Sequence, residues 1–318
     1  MKTRSTREAF ARVSSRVLLF GEAVVDELPG GPVVGGAPLN VAVHLAGFGL
    51  DVLLVSRIGE DPAGELVRSR LADRSLRLSG IQRDPRRATA RVLVTVVEGQ
   101  PSFEIPPEAA FDAIDARTAE ETAREFAPAL VYFGTLAQRR MRSRTALRRV
   151  LDATSGLRFL DLNLRAPWIE VRSLSNALRQ ADLVKLNAAE LEVLSPGAGD
   201  VCDAGTGPAV LELLSRYRIG SAFVTCGERG ALHVKRGAPG AERTGAEVCA
   251  LGDSLVDTVG AGDAFAAVAI LGTLRGWPPA LTIVRADSFA RALCQVPGAV
   301  PEDPAFHARF LASWGGAT

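Results

Sequence analysis

The N-terminal third of the chain consists of short apolar runs separated by turns rich in glycine and proline. The apolar positions 17–20 and 24–25 predict one buried strand, and positions 52–58 predict a second. Between them, the loop 29–36 leads to a predicted helix at 38–46, which starts with a proline that fits a first helical turn. The pattern therefore predicts a strand–helix–strand unit.

A different pattern covers residues 90–105, where two apolar segments flank a turn. The segments 90–97 and 102–105 predict a β-hairpin. Because their apolar positions alternate less regularly than those of a core strand, we expect the hairpin to belong to a small sheet outside the main one.

From about residue 120 onward, short apolar runs alternate with amphipathic segments such as 143–153 and 209–217. The runs predict strands at 129–133, 158–161, 182–186 and 221–225. Strands separated by helices indicate a parallel sheet that is covered on both faces. Ligands of such sheets bind beyond the carboxyl ends of the strands, so the polar residues at those ends are the candidate functional residues.

Composition and charge exclude several classes of protein. The chain has 318 residues, of which 47% are hydrophobic and 23% charged, as in an ordinary globular protein. Its formal net charge of +1 provides no general attraction to nucleic acid or anionic lipid, so we expect neither as a partner. No apolar run approaches the ~20 residues that a membrane-spanning helix needs. Residues 1–16, rich in arginine and serine, predict a disordered basic tail.

Several metal-binding and nucleotide-binding motifs are absent from the sequence. The cysteines, at positions 202, 226, 249 and 294, form no CxxC pair and no Cys/His metal spacing. We therefore expect reduced, mostly buried thiols in a cytoplasmic protein. None of the lysines, at 2, 185 and 235, follows a glycine, so a P-loop is absent. A GxGxxG fingerprint is also absent, which argues against an NAD-dependent oxidoreductase.

The strongest signal for chemistry is the segment 257–265, which reads DTVGAGDAF and continues into an apolar helix. Gly260, Ala261 and Gly262 allow backbone amides to converge at a helix N-terminus, where they form a site for an anion. An acid directly after such a site, Asp263, would repel a merely bound phosphate. The acid is explained if it faces an attacking hydroxyl while the amides hold a transferring phosphoryl group. An isolated GAGD would instead be interpreted as a helix N-cap.

Residues 257–263 resemble the DTxGAGD signature of the ribokinase-like, PfkB-type carbohydrate kinases. Residues 35–40, GGAPLN, resemble the family's other signature. The form of this signature with proline is more similar to that of the fructokinase branch than to that of the ribokinase branch. The resemblance extends over about residues 17–300. It implies one kinase domain at 17–318 with an α/β fold, a three-layer α/β/α sandwich with a central, mostly parallel sheet. It also implies a small β lid at about 28–34 and 90–105.

The resemblance implies a set of sugar-binding residues. An acid matching Asp26 accepts hydrogen bonds from the sugar in this family, and Asn40 offers an amide to a hydroxyl. Residues 161–165, DLNLR, resemble the DxNxR segment of the family. The family's Tyr and Arg on the second lid strand have no counterpart at 103–107, so we assign Arg91 on the preceding strand to the sugar instead. The complete predicted set is Asp26, Gly35, Gly36, Asn40, Arg91, Asn163 and Arg165.

The resemblance also implies where ATP and cations bind. Residues 187–190, NAAE, resemble the NxxE motif that is associated with Mg²⁺ and its waters, and residues 225–230 resemble a TxGxxG turn beside the ATP phosphates. Taken alone, these would be a helix-capping box and a hairpin turn. The predicted nucleotide-binding residues are Lys185, Asn187, Thr225, Gly227, Gly230, Gly260 and Gly262. Asn187 and Glu190 are assigned to Mg²⁺ through water, and Asp257 and Gly298 to a monovalent cation such as K⁺.

Together these features predict an ATP-dependent kinase that phosphorylates a primary hydroxyl of a monosaccharide, with fructose as the first candidate. Asp263 takes the proton of the acceptor, and the amides of 259–262 stabilise the transferring group. Alternative acceptors are 2-keto-3-deoxygluconate, ribose, another hexose or a nucleoside. A non-catalytic sugar-binding paralogue is the alternative from a different class. Lids of this family often supply a dimer interface, so a homodimer is expected.

Overall fold

A computed structural model gives the structure of the chain and describes residues 16–97, 100–197, 202, 207–237, 241–243 and 255–315. The strands are β1 (Arg16–Phe20), β2 (Val24–Leu28), β3 (Gly31–Gly35), β4 (Asp51–Gly59), β5 (Ile81–Asp84), β6 (Ala90–Val97), β7 (Gln100–Glu104), β8 (Leu130–Phe133), β9 (Leu157–Asp161), β10 (Leu183–Asn187), β11 (Ser221–Thr225), β12 (Ala231–Lys235) and β13 (Ala241–Arg243). Within these residues, a main sheet has the order β13-β12-β11-β10-β9-β8-β1-β4-β5. Only the β11–β12 and β12–β13 pairs of this sheet are antiparallel.

Helices cover both faces of the main sheet. They are α1 (Ala37–Gly47), α2 (Pro62–Asp73), α3 (Ala116–Phe126), α4 (Met141–Asp152), α5 (Val171–Gln180), α6 (Ala188–Leu194), α7 (Gly207–Tyr217), α8 (Ala261–Leu274), α9 (Pro279–Leu293) and α10 (Phe306–Ser313). Apolar residues of α3 to α7 belong to one hydrophobic cluster, and those of α1, α2, α8, α9 and α10 belong to another. The predicted three-layer α/β/α sandwich is therefore confirmed.

The central strand β1 shows why the sheet strands are continuously apolar. Leu18 and Phe20 join the first hydrophobic cluster, whereas Val17 and Leu19 join the second. Successive side chains of a strand point to opposite faces, and both faces are covered by helices, so every position favours an apolar residue. The carboxyl end of β1, an interior strand between β4 and β8, lies at the edge of the sheet where the candidate site forms.

The single strand predicted at 17–25 is wrong, because the chain leaves the main sheet between the two apolar runs. β1 ends at Phe20 and β2 begins at Val24, in a separate lid sheet with the order β3-β2-β6-β7. Gly21, at the break, has a φ of +156°, and a Cβ there would lie 2.6 Å from Cγ of Pro38. The connection therefore requires a glycine. The predicted β lid is confirmed, and it includes β2 from its start.

Most other elements agree with the sequence pattern. The predicted helix 38–46 corresponds to α1, and the hairpin corresponds to β6 and β7. The predicted tail lies outside the described residues except for Arg16, which begins β1. Within the described part of the chain, every helix is too short or too polar to cross a membrane.

The expectation of reduced thiols is contradicted for two of the four cysteines. Cys202 and Cys226 form a disulfide, with their Cα atoms 5.7 Å apart, while Cys294 is a buried free thiol. The two partners are 24 positions apart, with helix α7 and strand β11 between them. The sequence showed no CxxC pair because the fold, rather than local spacing, brings them together.

We expect this disulfide to stabilise the fold by about 3 kcal/mol, since it closes a loop of moderate length in the unfolded chain. A peptide map under non-reducing conditions should contain a Cys202–Cys226 linked peptide, and Cys226→Ser should lower the midpoint of thermal unfolding. Cys294→Ser, which removes a thiol outside the disulfide, is the control and should leave the linked peptide intact. A map without that peptide would contradict the pairing.

Candidate active site

Most of the predicted sugar-binding residues converge with Asp263 on one cavity at the carboxyl end of the main sheet, beneath the lid. Its walls come from the loop after β1, the start of α1, the lid strands, the loop after β9 and the start of α8. The polar side chains that line it are Glu22, Asp26, Asn40, Asn163, Arg165 and Asp263. Residues from both ends of the chain therefore meet in one place.

Asp263 lies in the first turn of α8, half-buried, at the edge of this cavity. Asn40 Nδ2 donates a hydrogen bond of 2.8 Å to Asp263 Oδ2. Burial raises the pKa of Asp263 to about 6, although the bond from Asn40 favours the ionised form and lowers it. The carboxylate is thus oriented by α1 and is a stronger base than a solvated aspartate.

The N-terminus of α8 provides the site for an anion that the DTVGAGD segment predicts. Gly260 caps the helix in the left-handed region, with a φ of +80°, and a Cβ there would lie 2.5 Å from Cα of Ala299. Such close packing leaves no room for a side chain. The first amides of the helix have no partner within the helix, and the helix dipole favours negative charge at this end.

Lys185, which the sequence analysis assigned to the nucleotide, lies beneath this helix N-terminus and is paired with a buried carboxylate. Its Nζ is 3.1 and 3.2 Å from the two carboxylate oxygens of Asp161, and both side chains are buried. A Cβ on Gly262 would be 3.0 Å from this Nζ. The strand register explains the position, because Lys185 pairs with Asp161 on adjacent β9 and β10. The two charges act on the pKa of Asp263 in opposite directions, because the Asp161 carboxylate raises it and the Lys185 ammonium lowers it.

On the side of the cavity where the sugar is predicted to bind, Gly35 and Gly36 allow the backbone to approach two acids closely. A Cβ on Gly35 would lie 2.6 Å from Oδ2 of Asp26, and a Cβ on Gly36 would lie 2.7 Å from the carbonyl oxygen of Glu22. Burial raises the pKa of Asp26 to about 6, and the nearby charge of Arg165 lowers it. The GGAPLN segment therefore shapes the cavity and starts helix α1 at the same point.

The DLNLR segment divides its residues between the interior and the cavity. Asp161 is buried, accepts hydrogen bonds from Lys185, and lies 3.3 Å from the hydroxyl oxygen of Tyr132. Asn163 and Arg165 line the cavity. Asn163 has a φ of +39°, a strained backbone conformation for a residue with a side chain. The turn after β9 therefore directs two polar side chains toward the place predicted for the sugar.

Arg91 and Gly35 are the two predicted sugar-binding residues that are not among the residues lining the cavity, and Arg91 points away from it. Its neighbour Val92 lines the cavity, and successive side chains of β6 point to opposite faces of the lid sheet. Arg91 forms an ion pair with Glu27, and its side chain is 55% exposed. The sequence indicated an arginine on a lid strand but not which face of that strand the cavity would occupy.

The predicted magnesium residues form a helix-capping box. Asn187 Oδ1 accepts from the amide of Glu190 at 2.8 Å, and Glu190 Oε2 accepts from the amide of Asn187 at 2.8 Å. Glu190 Oε1 accepts from the amide of Leu164, also at 2.8 Å. Both carboxylate oxygens thus hold backbone amides. Among the described residues, no cluster of three or more His, Cys, Asp or Glu side chains could hold a metal ion.

The two predicted nucleotide-facing segments are adjacent in the sheet. Thr225 is the register partner of Asn187, at the carboxyl ends of β11 and β10. The turn that follows has Gly227 and Gly230 in the left-handed region, with φ of +59° and +85°. Cys226, one partner of the disulfide, lies within this turn. Residues 244–254, which lead into the DTVGAGD segment, lie outside the described residues.

Asp257 and Gly298 meet as the resemblance implies. Asp257 Oδ2 accepts from the amide of Gly298 at 3.0 Å, and its Oδ1 accepts from the amide of Val259 at 2.9 Å. The carboxylate therefore joins the loop before α8 to the loop after α9. This contact supports the position of Gly260 against Ala299.

Glu22 is the cavity residue that the sequence interpretation missed. Its side chain is 5% exposed, and it lines the cavity together with Asp26 and Asp263. The signal that would have found it is an acid placed directly after an apolar central strand, where carboxyl-end ligand sites form.

Comparisons with known proteins identify the family and the fold. A family model described as pfkB family carbohydrate kinase matches residues 18–305. A fructokinase of Klebsiella pneumoniae is 29% identical over 306 residues, which is 91% of this chain and 93% of the relative. A structure of fructokinase with bound ATP from Xylella fastidiosa has a TM-score of 0.77 at 22% identity and covers 95% of this chain and 99% of its own.

A second solved structure is a fructokinase double mutant from Vibrio cholerae O395, in a form bound to fructose, ADP and potassium ion. It has a TM-score of 0.73 at 24% identity and covers 93% of this chain and 98% of its own. At these identities the two structures show that the fold is shared.

The hydrogen bond from Asn40 to Asp263 predicts a measurable change in acidity. In Asn40→Leu the apolar side chain fills the space but donates no hydrogen bond, so the ionised form loses a stabilising contact and the pKa of Asp263 should rise above 6. Carboxyl carbon NMR titration measures it, with Asn176→Leu on the exposed face of α5 as the control. A pKa that stays the same or falls would show that Asn40 does not support the carboxylate.

Proposed function

The chain belongs to the pfkB family of carbohydrate kinases, and from this membership we propose that it transfers the γ-phosphoryl group of ATP to a primary hydroxyl of fructose. The observation that carries the proposal is the position of Asp263. Its carboxylate stands in the first turn of α8, beside the backbone amides of that helix N-terminus, and lines the same cavity as Asp26 and Asn40. An alcohol in the cavity and a phosphoryl group at the amides would meet at this carboxylate.

In the proposed mechanism, Asp263 orients the acceptor hydroxyl and takes its proton as the phosphoryl group is transferred in line. A pKa of about 6 leaves the carboxyl mostly ionised at neutral pH and makes it a better base than free aspartate. In a loose transition state, positioning and charge stabilisation contribute more than early deprotonation. The amides of 260–262 stabilise the negative charge on the transferring group.

The charges of the cavity favour a neutral acceptor. Three carboxyl groups, those of Glu22, Asp26 and Asp263, face one guanidinium group, that of Arg165. An acceptor with its own carboxylate, such as 2-keto-3-deoxygluconate, would meet repulsion there. The lining residues in the described part of the chain include no aromatic ring on which a nucleobase would stack. The named activity of the Klebsiella pneumoniae relative then makes fructose the first choice among neutral sugars.

ATP, Mg²⁺ and a monovalent cation are the proposed cofactors. ATP would lie along Asn187, Thr225, Gly227 and Gly230, consistent with the ATP-bound Xylella fastidiosa fructokinase. Mg²⁺ would be held mainly by the phosphates and by waters that hydrogen-bond to Asn187 and Glu190, because the Glu190 oxygens already accept backbone amides. The potassium-bound Vibrio cholerae fructokinase supports a K⁺ site near Asp257 and Gly298.

The lid is proposed to exclude water and to form a homodimer interface. Strand residues Leu28, Val33 and Leu93 of the lid are 39%, 45% and 49% exposed, which is unusual for large apolar side chains on a small sheet. Contact between two lids would cover Leu93, which lies with Arg91 on the face of the lid sheet opposite the cavity. Exclusion of water limits hydrolysis of ATP in the absence of sugar.

A cytoplasmic location is proposed from the requirement for ATP. The Cys202–Cys226 disulfide is the observation that speaks against a reducing compartment. The peptide map of protein isolated under thiol-blocking conditions therefore tests this location as well as the pairing.

The proposed base predicts that Asp263→Asn lowers fructose-dependent ADP release by about 10²–10⁴-fold, because the amide cannot take the proton. ATP affinity, measured by calorimetry, should change little, since the backbone amides at 260–262 remain. Asp152→Asn, at the exposed end of α4, is the control and should retain full activity.

Two results would contradict this proposal. An Asp263→Asn variant with near-normal turnover would exclude Asp263 as the base. Wild-type ADP release that is faster with 2-keto-3-deoxygluconate, ribose or adenosine than with fructose would exclude fructose as the preferred acceptor.

A further inference from the structure

Glu22 occupies a position whose chemistry the proposed mechanism does not use. It follows Gly21 directly after β1, and its carboxyl group is buried in the wall of the acceptor cavity. Its Oε2 has no hydrogen-bond partner among the described residues. Burying a carboxyl oxygen without a partner costs free energy, so a native site that keeps one normally has a ligand for it.

The second buried glutamate near the site shows what a structural role looks like in this fold. Both oxygens of Glu190 accept backbone amides, from Leu164 and Asn187, at 2.8 Å. Glu190 thereby joins the turn after β9 to the start of α6. The Glu22 carboxyl group has a hydrogen bond with its own backbone amide, which joins no second element of the fold, so Glu22 lacks the structural role that Glu190 has.

A second unpartnered acceptor lies in the same cavity. Asn40 uses its amide nitrogen to hold Asp263, and its Oδ1 has no partner among the described residues. Both residues line the cavity, and a ligand with several hydrogen-bond donors would supply partners for the two oxygens. A sugar with neighbouring hydroxyl groups has this property.

The surrounding charges determine what Glu22 can bind. Burial and the charge of Asp263 raise the pKa of Glu22 to about 7, although a hydrogen bond from its own backbone amide and the charges of Arg165 and Arg139 act to lower it. A carboxyl group near its pKa at neutral pH both accepts from and donates to a hydroxyl. A carboxylate ligand offers no proton to an ionised Glu22 and is repelled by it.

Given the proposed sugar-kinase function, we propose that Glu22 binds a hydroxyl of the acceptor other than the one that is phosphorylated and excludes acceptors that carry a carboxylate. Glu22 is thus a specificity-determining residue of the acceptor site. Asp263 faces the reacting hydroxyl. Glu22 and Asn40 bind other hydroxyl groups and so position the sugar for transfer.

The test uses two variants of the full chain. Glu22→Gln keeps the shape of the side chain and removes the charge, and Glu22→Met removes the hydrogen bonds as well. Glu27→Gln is the matched control, because Glu27 lies on the opposite face of the lid sheet from the cavity and pairs with Arg91. Steady-state ADP release is measured with fructose and with 2-keto-3-deoxygluconate, and circular dichroism confirms folding.

We expect Glu22→Met to raise the KM for fructose by about tenfold or more while kcat changes much less, as for loss of a hydrogen bond to a charged group that holds the ground state and transition state alike. Glu22→Gln should raise KM less but should increase the ratio of keto-acid to fructose kcat/KM at least about tenfold, since the repulsion is gone. Glu27→Gln should match the wild type.

A purely structural Glu22 would give a different result. Both variants would then lower the midpoint of thermal unfolding but leave the KM for fructose and the acceptor ratio unchanged, which overturns the proposal. A fall in kcat alone, with KM constant, also overturns it, because Glu22 would then act on the transfer step.

Failure of the proposed function is distinguishable from failure of this proposal. If the wild type releases no ADP with fructose, thermal-shift titration with neutral sugars still reports binding in the cavity. Stabilisation by a neutral sugar that Glu22→Met loses and Glu27→Gln retains supports the role of Glu22. Equal stabilisation of all three proteins, or of none, overturns it.

Discussion

The hydrogen bond from Asn40 to Asp263 is the contact on which the candidate site depends. It joins residues 223 positions apart in the chain, one in the first turns of α1 and the other in the first turn of α8. The two helices pack against each other on the same face of the sheet, so their N-termini open toward the same cavity. Loss of this contact would separate Asp263, the proposed base, from the residues that are proposed to bind the sugar.

Close backbone approach keeps this contact in place. Gly21 lies against Pro38, Gly36 lies against the Glu22 carbonyl and Gly260 lies against Ala299, each at distances that a side chain would not allow. Behind them, the buried Asp161–Lys185 pair sits under the α8 N-terminus. A buried ion pair contributes little net stability, but it fixes the position of two charged groups directly beneath the start of α8.

The sequence predicted most strands and helices correctly, and the two signature segments indicated the family, because both depend on local chemistry. A buried strand and the turn before α8 can be recognised from the sequence, the first as an apolar run of strand length and the second by its glycines. The strand break at Gly21 was missed because both halves are apolar, and only packing against Pro38 shows that the chain must turn there. A break between two buried segments has no signature in hydrophobicity alone.

The direction in which side chains point was the second feature that the sequence did not predict. Arg91 and Lys185 have residue types that suit a polar ligand, but the alternation of β6 sends one to the outer face, and the register of β9 and β10 buries the other beside Asp161. The Cys202–Cys226 pairing likewise depends on where two distant turns meet. Glu22 was overlooked because a single acid after a strand resembles an ordinary turn residue until its burial is known.

The most direct test of the central claim is a crystal structure of the protein with fructose, ADP, Mg²⁺ and aluminium fluoride as a mimic of the transferring phosphoryl group. The account predicts an Asp263 carboxylate oxygen about 2.6–3.2 Å from a primary hydroxyl of the sugar, with the fluoride held by backbone amides of 260–262. A sugar whose primary hydroxyls lie beyond hydrogen-bond reach of Asp263, or a fluoride held away from the α8 N-terminus, would contradict it.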